Sequence, residues 1–208
     1  MSSIKNKIWV WSDKKLDWIA KDWVGDEVGN GVEVNEGDGL YHCNEGVEIG
    51  QISDLIKLVH LHEPAIYNAL RERYFADNIY TYTGPILLAI NPYKRINIYG
   101  DNVIKNIVGR GFEGSESPHI YNIAEEAYQR LINDGDNQSI LISGESGAGK
   151  TVSTKFVLNY LTKIDEIKLG IKSGEKDVCN KILQSNPILE AFGNAETLRN
   201  KNSSRFGK

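Results

Sequence analysis

The sequence predicts an α/β body over residues 51–208, preceded by a small β-barrel-like module over residues 1–50. Three observations lead there. Short β-like runs crowd the first fifty residues. Beyond Gln51, apolar runs of strand length alternate with stretches of helical periodicity, the pattern of a sheet flanked by helices. One of the strand-to-helix junctions is a glycine-punctuated loop, "GESGAGKT".

The module rests on "KIWVW", "GVEVN", "GLYHC" and "GVEIG", short runs separated by Gly, Asp and Asn. So many runs in so little chain imply a small antiparallel barrel or sheet. Trp9, Trp11, Trp18 and Trp23 are read as core packing in preference to a ligand-stacking surface, because a small β-module spends its large rings on its core. No chemistry is legible in this part.

In the body, "LHEPAIYNALRERYF" reads as a helix with Pro64 in its first turn and Ile66, Leu70 and Tyr74 on one face. "ILLAI" and "SILIS" read as strands buried on both faces. "SPHIYNIAEEAYQRLIN" reads as a helix with Ser117 as N-cap and Pro118 at the first position. Its apolar face is Ile120, Ile123, Ala124, Ala127, Tyr128 and Leu131. "TKFVLNYLTKI" is a helix with Phe156, Val157, Tyr160, Leu161 and Ile164 inward. "DEIKLGIKSGEKD" is charged and glycine-interrupted, hence a surface loop. "VCNKILQSNPILEAFGNAE" reads as a helix broken at Asn186-Pro187, restarted there and stopped at Gly193.

Gly144, Glu145, Ser146, Gly147, Ala148, Gly149, Lys150 and Thr151 fit the pattern G-x-x-x-x-G-K-[ST]. Such a loop wraps a phosphate with successive backbone N–H groups. That needs backbone angles and close approaches which side chains forbid. The helix that follows aims its unpaired N–H groups and its positive dipole end at the same anion. Lys150 reaches the β- and γ-phosphate oxygens, and the Thr151 hydroxyl is placed to ligate Mg²⁺. The pattern predicts a nucleoside triphosphate but not the reaction, since metabolic kinases, GTPases, helicases and motors all carry one.

The other bounds are exclusions. A net charge of -4 gives no electrostatic footprint for nucleic acid. No stretch is apolar for long enough to span a bilayer, and "MSSIKNKIWVW" has no apolar signal-peptide core, so the expected location is cytoplasmic. Cys43 and Cys179 are too few for a disulfide framework or a zinc site.

With the loop in hand, the chain resembles the myosin motor head. "GESGAGKT" is similar to that family's version of the loop. "NPYKRINIY" resembles its adenine-side segment. "LHEPAIYNALRERY", "SPHIYNIAEEAY" and "NPILEAFGNAETLRNKNSSRFGK" resemble further family segments in the family's order, over residues 52–208. The resemblance implies a P-loop NTPase core, a mixed sheet with flanking helices that is incomplete in this chain. It implies that Asn91, Pro92, Tyr93 and Tyr99, with Lys94 nearby, line the purine side. Read from its residues alone, "NPYKR" is a turn after a strand.

The resemblance further places the first nucleotide switch at residues 200–205. Asn200 approaches the phosphates, Ser204 offers its hydroxyl to Mg²⁺ beside Thr151, and Ser203 lies near the γ-phosphate and the attacking water. Arg205 pairs with a carboxylate of the second switch. Read alone, "RNKNSSRFG" is a polar loop rich in turn formers. The expected catalytic residues are thus Lys150, Ser203 and Arg205, and the metal ligands Thr151 and Ser204. Asn97 stands where the family often has Pro, and Lys201 adds a positive charge inside the switch. The segment "IVGRGFEGSES" and the pair Asn78-Ile79 follow no family pattern.

The expected function is the ATP-binding N-terminal portion of an actin-based motor, with ATP and Mg²⁺ as ligands. In the complete head, hydrolysis would be coupled to force on actin filaments in a cytoskeletal myosin complex, with light chains or calmodulin as further partners. No D-x-x-G-F-E second-switch stretch occurs in the chain. It is therefore read as a fragment or truncated product, a myosin ATPase only when completed. Two other readings stay open at this stage. One is a non-motor nucleotide-binding or scaffold protein that retains the loop. The other is a kinesin-like motor, disfavoured by the residues between loop and switch.

Overall fold

The computed structural model describes residues 6–12, 14, 15, 17–24, 27, 28, 41–109, 117–169, 181, 185, 187, 188, 191–198, 201 and 203. The chain forms two compact units, Met1–Leu88 and Ala89–Lys208.

The first unit opens with a four-stranded antiparallel sheet of β1 (Asn6–Ser12), β2 (Asp17–Val24), β3 (Glu27–Val28) and β4 (Tyr41–His42), in the order β3-β2-β1-β4. "KIWVW" and the Tyr41-His42 pair of "GLYHC" are strands as expected. "GVEVN" lies outside the described residues. "GVEIG" is not a strand: Ile49–Gln51 is a turn of 3-10 helix. The longest strand, β2, has no counterpart in the sequence reading, because its alternation is masked by Asp17, Lys21 and Asp22.

Register explains the tryptophans. Trp11 lies opposite Trp18, and Trp9 opposite both Ala20 and Tyr41, so these residues share one face. Trp18 makes edge contacts with Trp11 and Tyr41 at 5.6 and 5.5 Å. On the other face Ile8 is fully buried, while Trp11 is 47% exposed. The rings of Trp9, Trp11 and Trp18, expected in the core, instead line a half-open face, and the side chain of Trp23 lies outside the described residues.

Helix α1 (Glu63–Phe75) starts where the His62 ring accepts the Ala65 amide at 3.3 Å, with Pro64 in the first turn, where a missing N–H breaks no helical bond. Its buried face is Pro64, Ala65, Ala69 and Arg73; the expected Ile66, Leu70 and Tyr74 are only half-buried. The small alanines let the helix approach Ile52, Leu55 and Leu58 closely. Complete burial of Leu55 contributes roughly 1.5–3 kcal/mol. Arg73 is buried too. It donates to Thr81 Oγ1 at 2.8 Å, the Tyr80 carbonyl at 2.8 Å and the Gly50 carbonyl at 3.2 Å. Burial lowers its pKa. These bonds tie α1 to a hairpin of β5 (Tyr80–Thr83) and β6 (Ile86–Ala89). "ILLAI" thus does supply a strand, but Ile86 is 60% exposed, so the expected burial on both faces is not met.

The second unit is built on three mutually packed helices, α2 (Asp101–Ile107), α3 (Ile120–Asp134) and α4 (Lys150–Leu169). Its core is Ile104, Ile120, Tyr121, Ala124, Val157, Tyr160 and Ile164. The inward face expected of α4 is largely observed, with Phe156 and Leu161 half-buried. The helix runs on through Asp165–Leu169, residues expected in a loop. Helix α3 starts later than expected. Its N-cap is His119, not Ser117, because the His119 ring accepts the Tyr121 amide at 3.1 Å. Its buried arc is also rotated, to Ile120, Tyr121, Asn122, Ala124 and Glu125, leaving Leu131 and Ile132 exposed.

"SILIS" is not a strand. A strand needs a partner for its backbone N–H and C=O groups. Among the described residues none runs beside residues 139–143, and Leu141 is 92% exposed. Of the final expected helix, Lys181, Ser185, Pro187, Ile188 and Ala191–Gly193 are helical, while Asn186 lies outside the described residues.

Candidate functional site

The glycine-rich loop spans residues 144–149 and feeds directly into α4. Its glycines are structurally required. Gly149 has φ +97, a region closed to most side chains. A Cβ on Gly144 would lie 3.1 Å from the Ala148 Cβ, tighter than ordinary contact, so the loop closes on itself here. The Ala148 amide donates to the Glu145 carbonyl at 3.2 Å, and the Ser153 amide to the Gly149 carbonyl at 2.9 Å, starting the helical ladder.

Lys150 folds back over this loop. Its Nζ donates to the Gly144 carbonyl at 2.7 Å and the Glu145 carbonyl at 2.8 Å. The ammonium is thereby held against the loop rather than extended into solvent. Thr151 occupies the first turn of α4 with its side chain exposed. A loop closed over small residues, a lysine across its mouth and a hydroxyl in the first helical turn together fit a phosphate and its magnesium ion.

Two further segments bond to the loop. Asn91 Nδ2 donates to the Gly147 carbonyl at 2.8 Å. Its Oδ1 accepts the Tyr93 amide at 3.0 Å, a side-chain turn that holds Tyr93 at φ +50. Tyr93 is 83% exposed, Lys94 is exposed, and Pro92 is half-buried. On the other side, Ser146 Oγ donates to Ser203 Oγ at 3.3 Å. Ser203 is buried, and its carbonyl accepts the Ala195 amide at 2.6 Å. Asn91 and Ser203 therefore both meet the loop. Asn200, Ser204 and Arg205 lie outside the described residues.

Tyr99 does not touch the loop through any of these bonds. It stacks on Phe156 of α4, with 3.6 Å between centroids and 10° between planes. The Tyr121 hydroxyl donates to the Tyr99 carbonyl at 3.2 Å. The His119 Nδ1 accepts an amide proton, so its Nε2 carries the ring proton and donates to the Ile98 carbonyl at 2.9 Å. Burial lowers the His119 pKa from 6.5 to about 4, opposed by that hydrogen bond. Lys163 pairs with Asp101, holding its carboxyl below the usual range.

Behind α4 lies a buried carboxylate that the sequence reading missed. Glu125 accepts the Tyr160 hydroxyl at 2.7 Å, the Gly109 amide at 2.8 Å and Gln129 Nε2 at 2.5 Å, with Lys168 Nζ at 3.6 Å. Burial, and then the bond to Glu125, pushes the Tyr160 phenol far above the ordinary tyrosine range. This cluster joins α3, α4 and the residue pair after α2, and so braces the helix that presents Lys150. Nothing in the local sequence separates Glu125 from Glu126: both lie between the apolar positions Ala124 and Ala127.

No helix among the described residues is long and apolar enough to cross a membrane. Residues 52–208 match the family model described as "Myosin head (motor domain)". The chain is 40% identical over 216 residues to Myosin type-2 heavy chain 2 of Schizosaccharomyces pombe, an alignment covering 100% of the chain and 10% of that protein. It is 51% identical over 162 residues to Myosin-17 of Arabidopsis thaliana, covering 76% of the chain and 10% of that protein. It is 46% identical over 178 residues to Unconventional myosin-Vb of Mus musculus, covering 85% and 9%. The chain thus spans about a tenth of the length of these relatives. With a family match over most of the chain and a glycine-rich loop presented by α4, this chain belongs to the myosin head family.

Proposed function

We propose that the chain is the ATP-binding N-terminal part of an actin-based motor head. The observation that carries this reading is the loop itself. Lys150 is held over the Gly144 and Glu145 carbonyls at the start of α4, with Asn91 and Ser203 bonded to the same loop. In this reading the loop amides and the α4 dipole hold the phosphates, and Lys150 exchanges its carbonyl partners for β- and γ-phosphate oxygens. Thr151 and Ser204 are the protein oxygens for Mg²⁺, which would supply charge neutralisation to the phosphates when bound. Ser203 orients the attacking water. Arg205 closes the site by pairing with a carboxylate supplied from elsewhere in the head. Asn91, Pro92, Tyr93, Lys94, Tyr99 and Asn200 frame the nucleotide.

In this reading residues 51–208 form a P-loop NTPase core, preceded in sequence by a β-barrel-like module over residues 1–50. For the whole protein, the family supports Mg-ATP hydrolysis coupled to force on actin filaments, with light chains or calmodulin as partners and a cytoskeletal location. The test is equilibrium binding of a fluorescent ATP analogue to the 208-residue chain, with and without Mg²⁺. Lys150→Ala is expected to weaken binding by at least about tenfold, and Thr151→Ala and Ser204→Ala to remove the Mg²⁺ dependence. Unchanged binding in Lys150→Ala refutes the reading. An unchanged Mg²⁺ dependence in Ser204→Ala, with loss in Ser203→Ala, moves the metal ligand by one residue.

A further inference from the structure

The segment Asn91–Tyr99 is fastened at both ends to the same mechanical element. Its first residue bonds to the phosphate loop, through Asn91 Nδ2 and the Gly147 carbonyl at 2.8 Å. Its last residue stacks on Phe156, which lies on the helix that the loop opens. Three more contacts hold that last residue and its neighbours. His119 and Tyr121 bond the Ile98 and Tyr99 carbonyls, and Lys163 pairs with Asp101. Phe156 and Lys163 are seven residues apart, two turns along one face of α4. Helix α4 therefore holds the Tyr99–Asp101 corner at two points.

We propose that Phe156 is a positioning residue for the nucleotide base. It acts through Tyr99. A ring stacked at 3.6 Å and 10° has its plane fixed, and one of its faces is no longer open to a ligand. The base then meets a Tyr99 ring whose orientation is already set by Phe156, with His119 and Tyr121 beside it. Base site and phosphate site form one rigid body, and the orientation of the base is set by α4 rather than by the exposed Tyr93 end of the segment. This inference rests on the nucleotide-binding reading above.

The experiment compares Mg-ATP with Mg-tripolyphosphate, which has the phosphates but no base, on the full 208-residue chain. Phe156→Leu keeps an apolar helix former and removes the stack. Phe156→Met is the second variant should Phe156→Leu fail to fold, and Phe156→Tyr restores the ring. The stacking-deficient variants are expected to bind ATP about fivefold to tenfold more weakly. Their tripolyphosphate affinity stays at the wild-type value, and Phe156→Tyr recovers ATP affinity. Equal weakening of both ligands would show a structural role only and overturn the inference. So would unchanged ATP affinity, or a wild-type chain that binds tripolyphosphate as tightly as ATP; either leaves the phosphate-loop reading standing. A wild-type chain that binds neither ligand overturns that reading and this inference together.

Discussion

Acidification should uncap α3 through His119, and the size of the effect follows from the structure. The ring is buried at 8% exposure between Tyr99 and Tyr121, with centroids at 5.6 and 4.7 Å. It accepts the Tyr121 amide through Nδ1 and donates to the Ile98 carbonyl through Nε2. Protonating Nδ1 would set two N–H groups against each other and break the cap. Burial of the ring depresses the folded-state pKa from 6.5 to about 4, against the hydrogen bond to Ile98, which raises it. Between those values the unfolded chain binds the proton and the folded chain does not, so stability falls as pH falls. The contribution is fully present above about pH 6.5 and is lost progressively toward pH 4. At 1.36 kcal/mol per pKa unit, the loss over that window is about 3 kcal/mol, a large share of a typical domain's stability. His119→Asn keeps an oxygen to cap Tyr121 but has no ring to titrate. Denaturation of both proteins should be followed by far-ultraviolet circular dichroism, because all four tryptophans precede α1 and report the first unit. From pH 7 to pH 4 the wild-type chain should lose about 3 kcal/mol more than the variant. Parallel curves over that range, or a His119 ring titrating near pH 6.5 by NMR, would refute the reasoning.

Two further outcomes are expected. Tyr160→Phe removes the 2.7 Å donor to the buried Glu125 carboxylate and should lower stability by about 1–3 kcal/mol. A double-mutant cycle with Glu125→Gln should show coupling, and strict additivity in thermal denaturation would sink the network. Gly149→Ala meets nothing within 4 Å, yet φ +97 should make it destabilising by about 1–3 kcal/mol and weaken nucleotide binding. Gly100→Ala, equally unhindered but with the backbone at φ -72, is the control: it loses only the N-cap preference of glycine and should cost less stability than Gly149→Ala.

Features encoded in a few neighbouring residues are legible without the fold. The glycine-lysine-threonine loop is one, since its spacing fixes where amides, charge and hydroxyl emerge before a helix. The inward face of α4 is another, since Val157, Tyr160 and Ile164 recur at helical spacing and are buried. The ordered motifs also sufficed to identify the family. Features that depend on distant partners emerge with the fold. "ILIS" and "ILLAI" have the same apolar character, yet the second is a strand because "YTYT" turns back beside it, and the first has no such neighbour among the described residues. Arg73 and Glu125 read as surface charges on helices, but each is buried where other segments offer it oxygens or protons. The buried arc of α3 takes in Asn122 and Glu125 and so departs from the one its apolar periodicity marks. Periodicity reports which residues prefer to leave water; it does not report which buried polar group will find a partner.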